Sequence, residues 1–190
     1  MKHTPIIFAA AKYAYNKERN GISYEYQTVF KSLKSVYPEA IFIDVYQPKG
    51  IDLLLNQLSS LPTKPRPRVI YIPYRGILGP TELNKIRSSS EIGIFYLDDT
   101  WRQDLVQVYL TYCDWFTTSD PKFEWRYNER FAKKVKFFPF GYDADEIAKA
   151  TCSYEDRDIK VSFVGARNDY RSFVVEKITN AGIDVTCFGS

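Results

Sequence analysis

Short, uninterrupted apolar runs alternate along this chain with segments whose apolar residues recur at helical spacing. Ile6-Ile7-Phe8-Ala9-Ala10 is the first such run and predicts a buried strand. The stretch 11–22 is polar, rich in Tyr and contains Asn20-Gly21, so it predicts a loop. Ser23 then suits a helix cap, with Tyr26, Val29, Phe30, Leu33 and Tyr37 on one face and Pro38 as the stop. A second strand is predicted over 40–45, a Leu-rich helix over 51–61 and a third strand over 69–74. Between the last two, Pro62, Pro65 and Pro67 forbid regular structure, because each lacks an N–H and restrains its neighbour. Further along, the pattern predicts a short helix opening at Thr81, a strand over 91–97, a helix over 101–112 and a short strand over 114–118. A basic aromatic helix over 121–133, a strand over 135–140 and a helix over 143–150 follow. After a polar stretch at 153–158 comes a fresh strand–helix–strand over 159–164, 172–180 and 183–188.

Continuous apolar strands separated by helices predict a parallel sheet covered on both faces, an α/β doubly wound, Rossmann-like fold. The expected organisation is a Rossmann-like domain over 1–152, a linker over 153–158 and, over 159–190, the first strand–helix–strand of a second Rossmann-like domain. Two strands and one helix bury too little to stand alone, so the second piece is expected to be truncated or to dock on something. On such sheets ligands bind beyond the carboxyl ends of the strands. The residues to inspect are therefore 12–22, 74–76, 98–102, 119–120, 141–142 and 165–171.

Composition narrows the classes. The 190 residues are 45% hydrophobic and 26% charged, as in ordinary globular domains. A net charge of +3, with no long Lys/Arg block, argues against a nucleic-acid partner. His3 is the sole histidine, so no zinc site of several histidines and no Ser-His-Asp triad is expected. Cys113, Cys152 and Cys187 are widely spaced and read as reduced thiols. Neither a spanning apolar run nor a signal-peptide core is evident, which makes a cytoplasmic location the default expectation. The segment from Lys122 to Lys136 interleaves Lys and Arg with Phe123, Trp125, Tyr127 and Phe131. It suits an amphipathic helix with a solvated cationic face, and at most a peripheral contact with anionic lipid.

Three stretches, in order along the chain, carry a resemblance. They are Tyr71-Ile72-Pro73-Tyr74-Arg75-Gly76; then Ile94-Phe95-Tyr96-Leu97-Asp98-Asp99-Thr100-Trp101-Arg102 with Phe116–Asp120 and Phe137–Tyr142; then Val161-Ser162-Phe163-Val164-Gly165, Arg171 and Val185–Gly189. Together these resemble the spore-maturation-type (CgeB-like) glycosyltransferases of the GT-B architecture. The resemblance implies transfer of a sugar from a nucleotide-sugar donor to a glycan, lipid or protein acceptor, with no bound metal and no separate cofactor. It also implies a further donor-domain segment, beyond these 190 residues or on a partner chain, without which the chain alone is expected to be inactive. The alternative is a non-catalytic Rossmann-type binding domain completed by a partner.

Glycosyl transfer with inversion needs a base for the acceptor hydroxyl and positive groups for the departing diphosphate. Asp98 and Asp99, just past the predicted fourth strand, are the candidate bases; both also suit caps for the helix that follows. Gly165 lies at a strand exit, where a backbone without Cβ can approach a phosphate, and Arg171 and Arg167 are candidate diphosphate ligands. A tight turn with solvated arginines explains the same residues. Lys12, Tyr13 and Tyr15 on the first loop, with Tyr74, Arg75, Trp101 and Arg102, are the candidate acceptor contacts. The resemblance places the acceptor wall on that first loop, and tyrosines also occur on any exposed loop.

Overall fold

The computed structural model describes residues 4–74, 77–96, 103–121, 127, 129–139, 141, 147–149, 153, 155–165 and 168–188, with no side-chain description at 103–105, 129 and 130. The chain divides into two compact units, Met1–Tyr142 and Asp143–Ser190.

The first unit is a six-stranded parallel sheet. Its strands are β1 (Ile6–Ala10), β2 (Ile41–Asp44), β3 (Arg68–Tyr71), β4 (Glu91–Ile94), β5 (Trp115–Thr118) and β6 (Val135–Phe137). They lie in the order β2-β1-β3-β4-β5-β6. Every pair in that order is parallel. Between them run a π-helix, Glu25–Phe30, that continues into α1 (Lys31–Val36), then α2 (Gly50–Ser60), α3 (Pro80–Ser89), α4 (Gln103–Tyr112) and α5 (Glu129–Ala132). The result is a Rossmann-like α/β sheet flanked by helices.

Alternation along the strands divides the core in two, since successive side chains point to opposite faces. Ile7, Ala9, Val69, Tyr71, Ile92 and Ile94 pack with Leu54 and Leu58 of α2, Leu83 and Ile86 of α3, and Val106 and Leu110 of α4. Ile6, Phe8, Ala10, Ile72 and Phe95 pack instead with Phe30, and with Tyr26, Val29 and Leu33 at the margin. Strand β1 is therefore buried along its whole length, as its unbroken apolar run requires. The π-helix was not foreseen. It keeps Tyr26, Val29 and Phe30 on the sheet-facing side, so the apolar spacing does not distinguish it from an ordinary helix.

Four strand ends fall earlier than the pattern predicts, β2 by a single residue, at Asp44. β3 stops at Tyr71, two residues before Pro73, which has no N–H for a ladder, and β4 stops at Ile94. β6 likewise stops at Phe137. The helix expected over 121–133 is corrected in part. Tyr127 is a bend, and its buried ring sits 6.1 Å from that of Phe116; the described helix is Glu129–Ala132.

The second unit contains β7 (Ser162–Val164), α6 (Asp169–Asn180) and β8 (Thr186–Phe188), with β7 and β8 paired in parallel. Residues 147–149 are helical. Asn168 caps α6: its Oδ1 accepts the Arg171 amide at 2.9 Å. Among the described residues of this unit none is buried, as expected when two strands and a helix share so little apolar surface.

Candidate ligand-binding site

In the order β2-β1-β3, the chain steps from β1 to β2 on one side and then returns to β3 on the other. This reversal is a topological switch point, and it opens a crevice beyond the carboxyl ends of β1 and β3. The loops after these strands form its walls.

Asp44, the last residue of β2, anchors the first wall. One carboxylate oxygen accepts the Lys12 amide and the other the Tyr46 amide, each at 3.1 Å. Ser23 is buried and ties the far end of the same loop. Its hydroxyl donates to the Ala11 carbonyl at 2.6 Å and accepts the Tyr26 amide at 3.1 Å. An antiparallel bridge joins Tyr13 to Ile22 across the loop. Within it Tyr15 and Asn16 adopt left-handed backbone, with φ of 55° and 54°. For a residue such as Tyr15 this costs about 1–2 kcal/mol, so the surroundings must impose it. Asn16 is held on both sides: its amide donates to the Tyr46 carbonyl at 3.1 Å and its Oδ1 accepts from the Gln47 side chain at 3.2 Å.

The strained turn presents Tyr15, 60% exposed, against Tyr74 from the loop after β3. The two rings meet edge to face, with centroids 6.0 Å apart and planes at 73°. Tyr74 also packs against Tyr46 at 5.9 Å and 66°. On the same loop Lys12 Nζ lies 5.2 Å from the centre of the Tyr13 ring, within cation–π range. The crevice thus brings together Lys12, Tyr13, Tyr15 and Tyr74, four of the residues expected there.

Beneath them lies a chain of tyrosine hydroxyls. Tyr46 Oη accepts the Tyr74 amide, lies 3.2 Å from Tyr71 Oη and donates to the Ile72 carbonyl at 3.3 Å. Tyr71 is fully buried. Burial pushes the Tyr46 phenol far above its ordinary value, against the opposing hydrogen bonds from Tyr71 and Tyr74, and nearby Glu25 pushes it further up. Burial also pushes the Tyr71 phenol up, helped by its proximity to Tyr46. Both stay neutral hydrogen-bonding groups throughout the physiological range.

Asp44 and Tyr46 were missed by the sequence reading, and Asn16 was covered only as part of the stretch 12–22. The signal was present, because Asp44 ends an apolar strand and Tyr46 follows it. The strand-exit rule, applied to the other strands, identifies them equally well.

The second unit carries the other group. Gly165 follows β7 with φ of +157°, which side chains rarely adopt. A Cβ placed there would lie 3.3 Å from Arg171 Nη1, so the guanidinium reaches back over the glycine. A groove of about 560 Å³ runs beside it, lined by Phe163, Arg171, Val175, Cys187 and Phe188 among others. The Gly165 amide itself donates to the Phe188 carbonyl at 2.9 Å. It is therefore part of the sheet, and an anion here would be met by the guanidinium and the start of α6. Asp169 in the first turn of that helix opposes such an anion.

Asp98, Asp99, Arg75, Trp101, Arg102 and Arg167 lie outside the described residues. Among the described residues, no group of three or more His, Cys, Asp or Glu is arranged to hold a metal ion, and no helix is long and apolar enough to cross a membrane. No protein-family model, curated protein or solved structure matches the chain. A Rossmann-like sheet hosts many activities, so the function lies in the site and not in the fold.

Proposed function

We propose that the chain belongs to a glycosyltransferase of the GT-B architecture that uses a nucleotide-sugar donor. In this reading the first unit holds a sugar-bearing acceptor at the switch point, and the second contributes to the site for the donor diphosphate. The observation that carries the reading is the gathering of Lys12, Tyr13, Tyr15 and Tyr74 at the carboxyl ends of β1 and β3. Tyrosine faces stack on the C–H faces of a pyranose while hydroxyls and Lys12 reach its oxygens. The closeness of Arg171 to Gly165 supports the donor half, since a guanidinium can clamp two phosphate oxygens.

In the transfer, a carboxylate takes the proton of the acceptor hydroxyl. The acceptor oxygen bonds to the anomeric carbon, and the bond from that carbon to the diphosphate breaks with its electron pair leaving on the phosphate. Asp98 and Asp99 are the proposed bases. They follow β4 in sequence, and β4 is the neighbour of β3, whose exit carries Tyr74. Arg171 would offset the charge released on the diphosphate.

One observation favours a second reading, a binding domain without catalysis: the Gly165 amide is committed to the sheet and offers a phosphate nothing. Turnover separates the two. UDP-, GDP- and dTDP-hexoses are incubated with simple glycoside acceptors, and released nucleoside diphosphate is measured for the chain completed by the donor-domain segment that the resemblance implies, unaltered and as Asp98→Asn and Asp99→Asn. Loss of about 10²–10⁴ in rate in one variant supports the base assignment. Turnover undiminished from the parent in both variants removes it, and no release from any donor favours the binding domain.

A further inference from the structure

Tyr46, just past the exit of β2, touches both walls of the switch-point crevice. Its carbonyl accepts the Asn16 side chain and so reaches the turn that carries Tyr15. Its hydroxyl accepts the amide of Tyr74, the other member of the ring pair. Its ring packs against the Tyr74 ring. Its own amide is fixed by Asp44, which also fixes Lys12. From below, Tyr71 Oη and the Ile72 carbonyl hold the hydroxyl against β3. One residue is thus bonded to the loop after β1, the loop after β3 and the sheet between them.

We propose that Tyr46 is the positioning residue of the crevice, setting the Tyr15–Tyr74 ring corner against which a pyranose ring stacks. The sugar part of this statement rests on the function proposed above; the positioning part does not. The two rings stand at 73°, so they form a corner rather than a parallel slot. A saturated ring can lie on one face while its hydroxyls meet the edge of the other ring. A planar base sandwiched between two rings would need them parallel. Stacking on such a corner requires the two rings to be held in register, which neither loop does alone. Tyr15 sits on strained backbone that Asn16 and Tyr46 hold in place, and Tyr74 lies on the loop that leads from β3 to α3.

Tyr46→Phe tests this with the ring retained and only the hydroxyl removed. Two readouts are taken on the 190-residue chain by NMR: hydrogen exchange of the Tyr74 amide and cross-relaxation between the Tyr15 and Tyr74 rings. A third is the affinity for methyl glucoside, galactoside, mannoside and N-acetylglucosaminide probes. We expect Tyr74 exchange to quicken by about tenfold or more and the ring cross-peak to weaken, while amides in β4 and α3 exchange as before. Affinity for whichever probe binds should fall by about tenfold, an effect of misplacement rather than of a lost contact. Unchanged exchange and an unchanged cross-peak would overturn the proposal. If those two readouts move but no probe binds even the unaltered chain, the positioning role stands and the sugar reading fails. If a probe binds the chain and Tyr46→Phe equally, the positioning role fails and the sugar reading stands. Should Tyr46→Phe not fold, Asn16→Gly serves, since glycine accepts the left-handed backbone while the ties to the Tyr46 carbonyl and the Gln47 side chain are lost. Weakening of the Tyr15–Tyr74 cross-peak supports the proposal, and an intact cross-peak in that variant overturns it.

Discussion

The backbone of Gly50 passes so close to Asp44 that a Cβ on it would lie 2.3 Å from the Asp44 carbonyl oxygen and 2.8 Å from Val45 Cα. The first turn of α2 is thereby pressed against the end of β2. Both obstructing atoms are backbone, so neither can swing aside as a side chain would. Asp44 is also the residue whose carboxylate holds the Lys12 and Tyr46 amides. Packing between a helix start and a strand end therefore bears directly on the walls of the crevice.

Gly50→Ala should accordingly destabilise the first unit by about 1–3 kcal/mol or more, as overpacking does. It should also shift the amide resonances of Lys12 and Tyr46. Urea unfolding and an amide correlation spectrum check both effects. A variant as stable as the parent, with these two resonances unmoved, would contradict the close approach.

Ser23→Ala should cost about 1–2 kcal/mol, the range for a lost helix cap combined with a lost buried hydrogen bond. The Tyr26 amide loses its acceptor and the Ala11 carbonyl loses its donor. The loop between them should then exchange its amides faster than the sheet does. An unfolding midpoint identical to the parent's would show that the hydroxyl holds neither end.

Cys113 supplies a pH prediction. It is fully buried, and burial pushes its thiol from 9.0 up to about 12, with Lys134 opposing and Asp114 assisting. Above pH 9 the unfolded chain loses this proton while the folded chain keeps it. The unfolded state then binds fewer protons, so stability falls as pH rises from about 9 towards about 12. The raised phenols of Tyr46 and Tyr71 act in the same direction at higher pH. Urea midpoints between pH 8 and pH 11 should decline, and Cys113→Ala should flatten part of that slope. Site-mapped thiol labelling gives a second check: exposed Cys187 reacts in the native protein and Cys113 does not.

Much of the fold was legible because burial writes itself into composition. The run Ile6–Ala10 is apolar at every position, and every position is buried. The strand order was not legible, since periodicity reports which residues are buried and not which strands are neighbours. The switch point between β1 and β3, and with it the meeting of Tyr15 and Tyr74, emerges only from that order. Tyr127 misled the helix prediction for a related reason. Its spacing fits the apolar face of an amphipathic helix and its ring is buried beside Phe116, but the backbone at Tyr127 is a bend. Gly165 and Arg171 were legible as a pair through their spacing after an apolar strand. That the Gly165 amide pairs with Phe188 depends on the pairing of β7 with β8, which no local pattern reveals.

In the proposed function, the second unit receives the diphosphate of a nucleotide sugar beside Gly165 and Arg171. Titration of the isotopically labelled chain with UDP-, GDP- and dTDP-hexoses tests it most directly, in parallel with Arg171→Ala. Saturable shifts at Gly165, Asn168 and Arg171 with at least one donor are predicted, with affinity falling by about tenfold or more in the variant, as for loss of a charge-assisted hydrogen bond. No saturable shift at these residues with any donor, or undiminished affinity in Arg171→Ala, would contradict it.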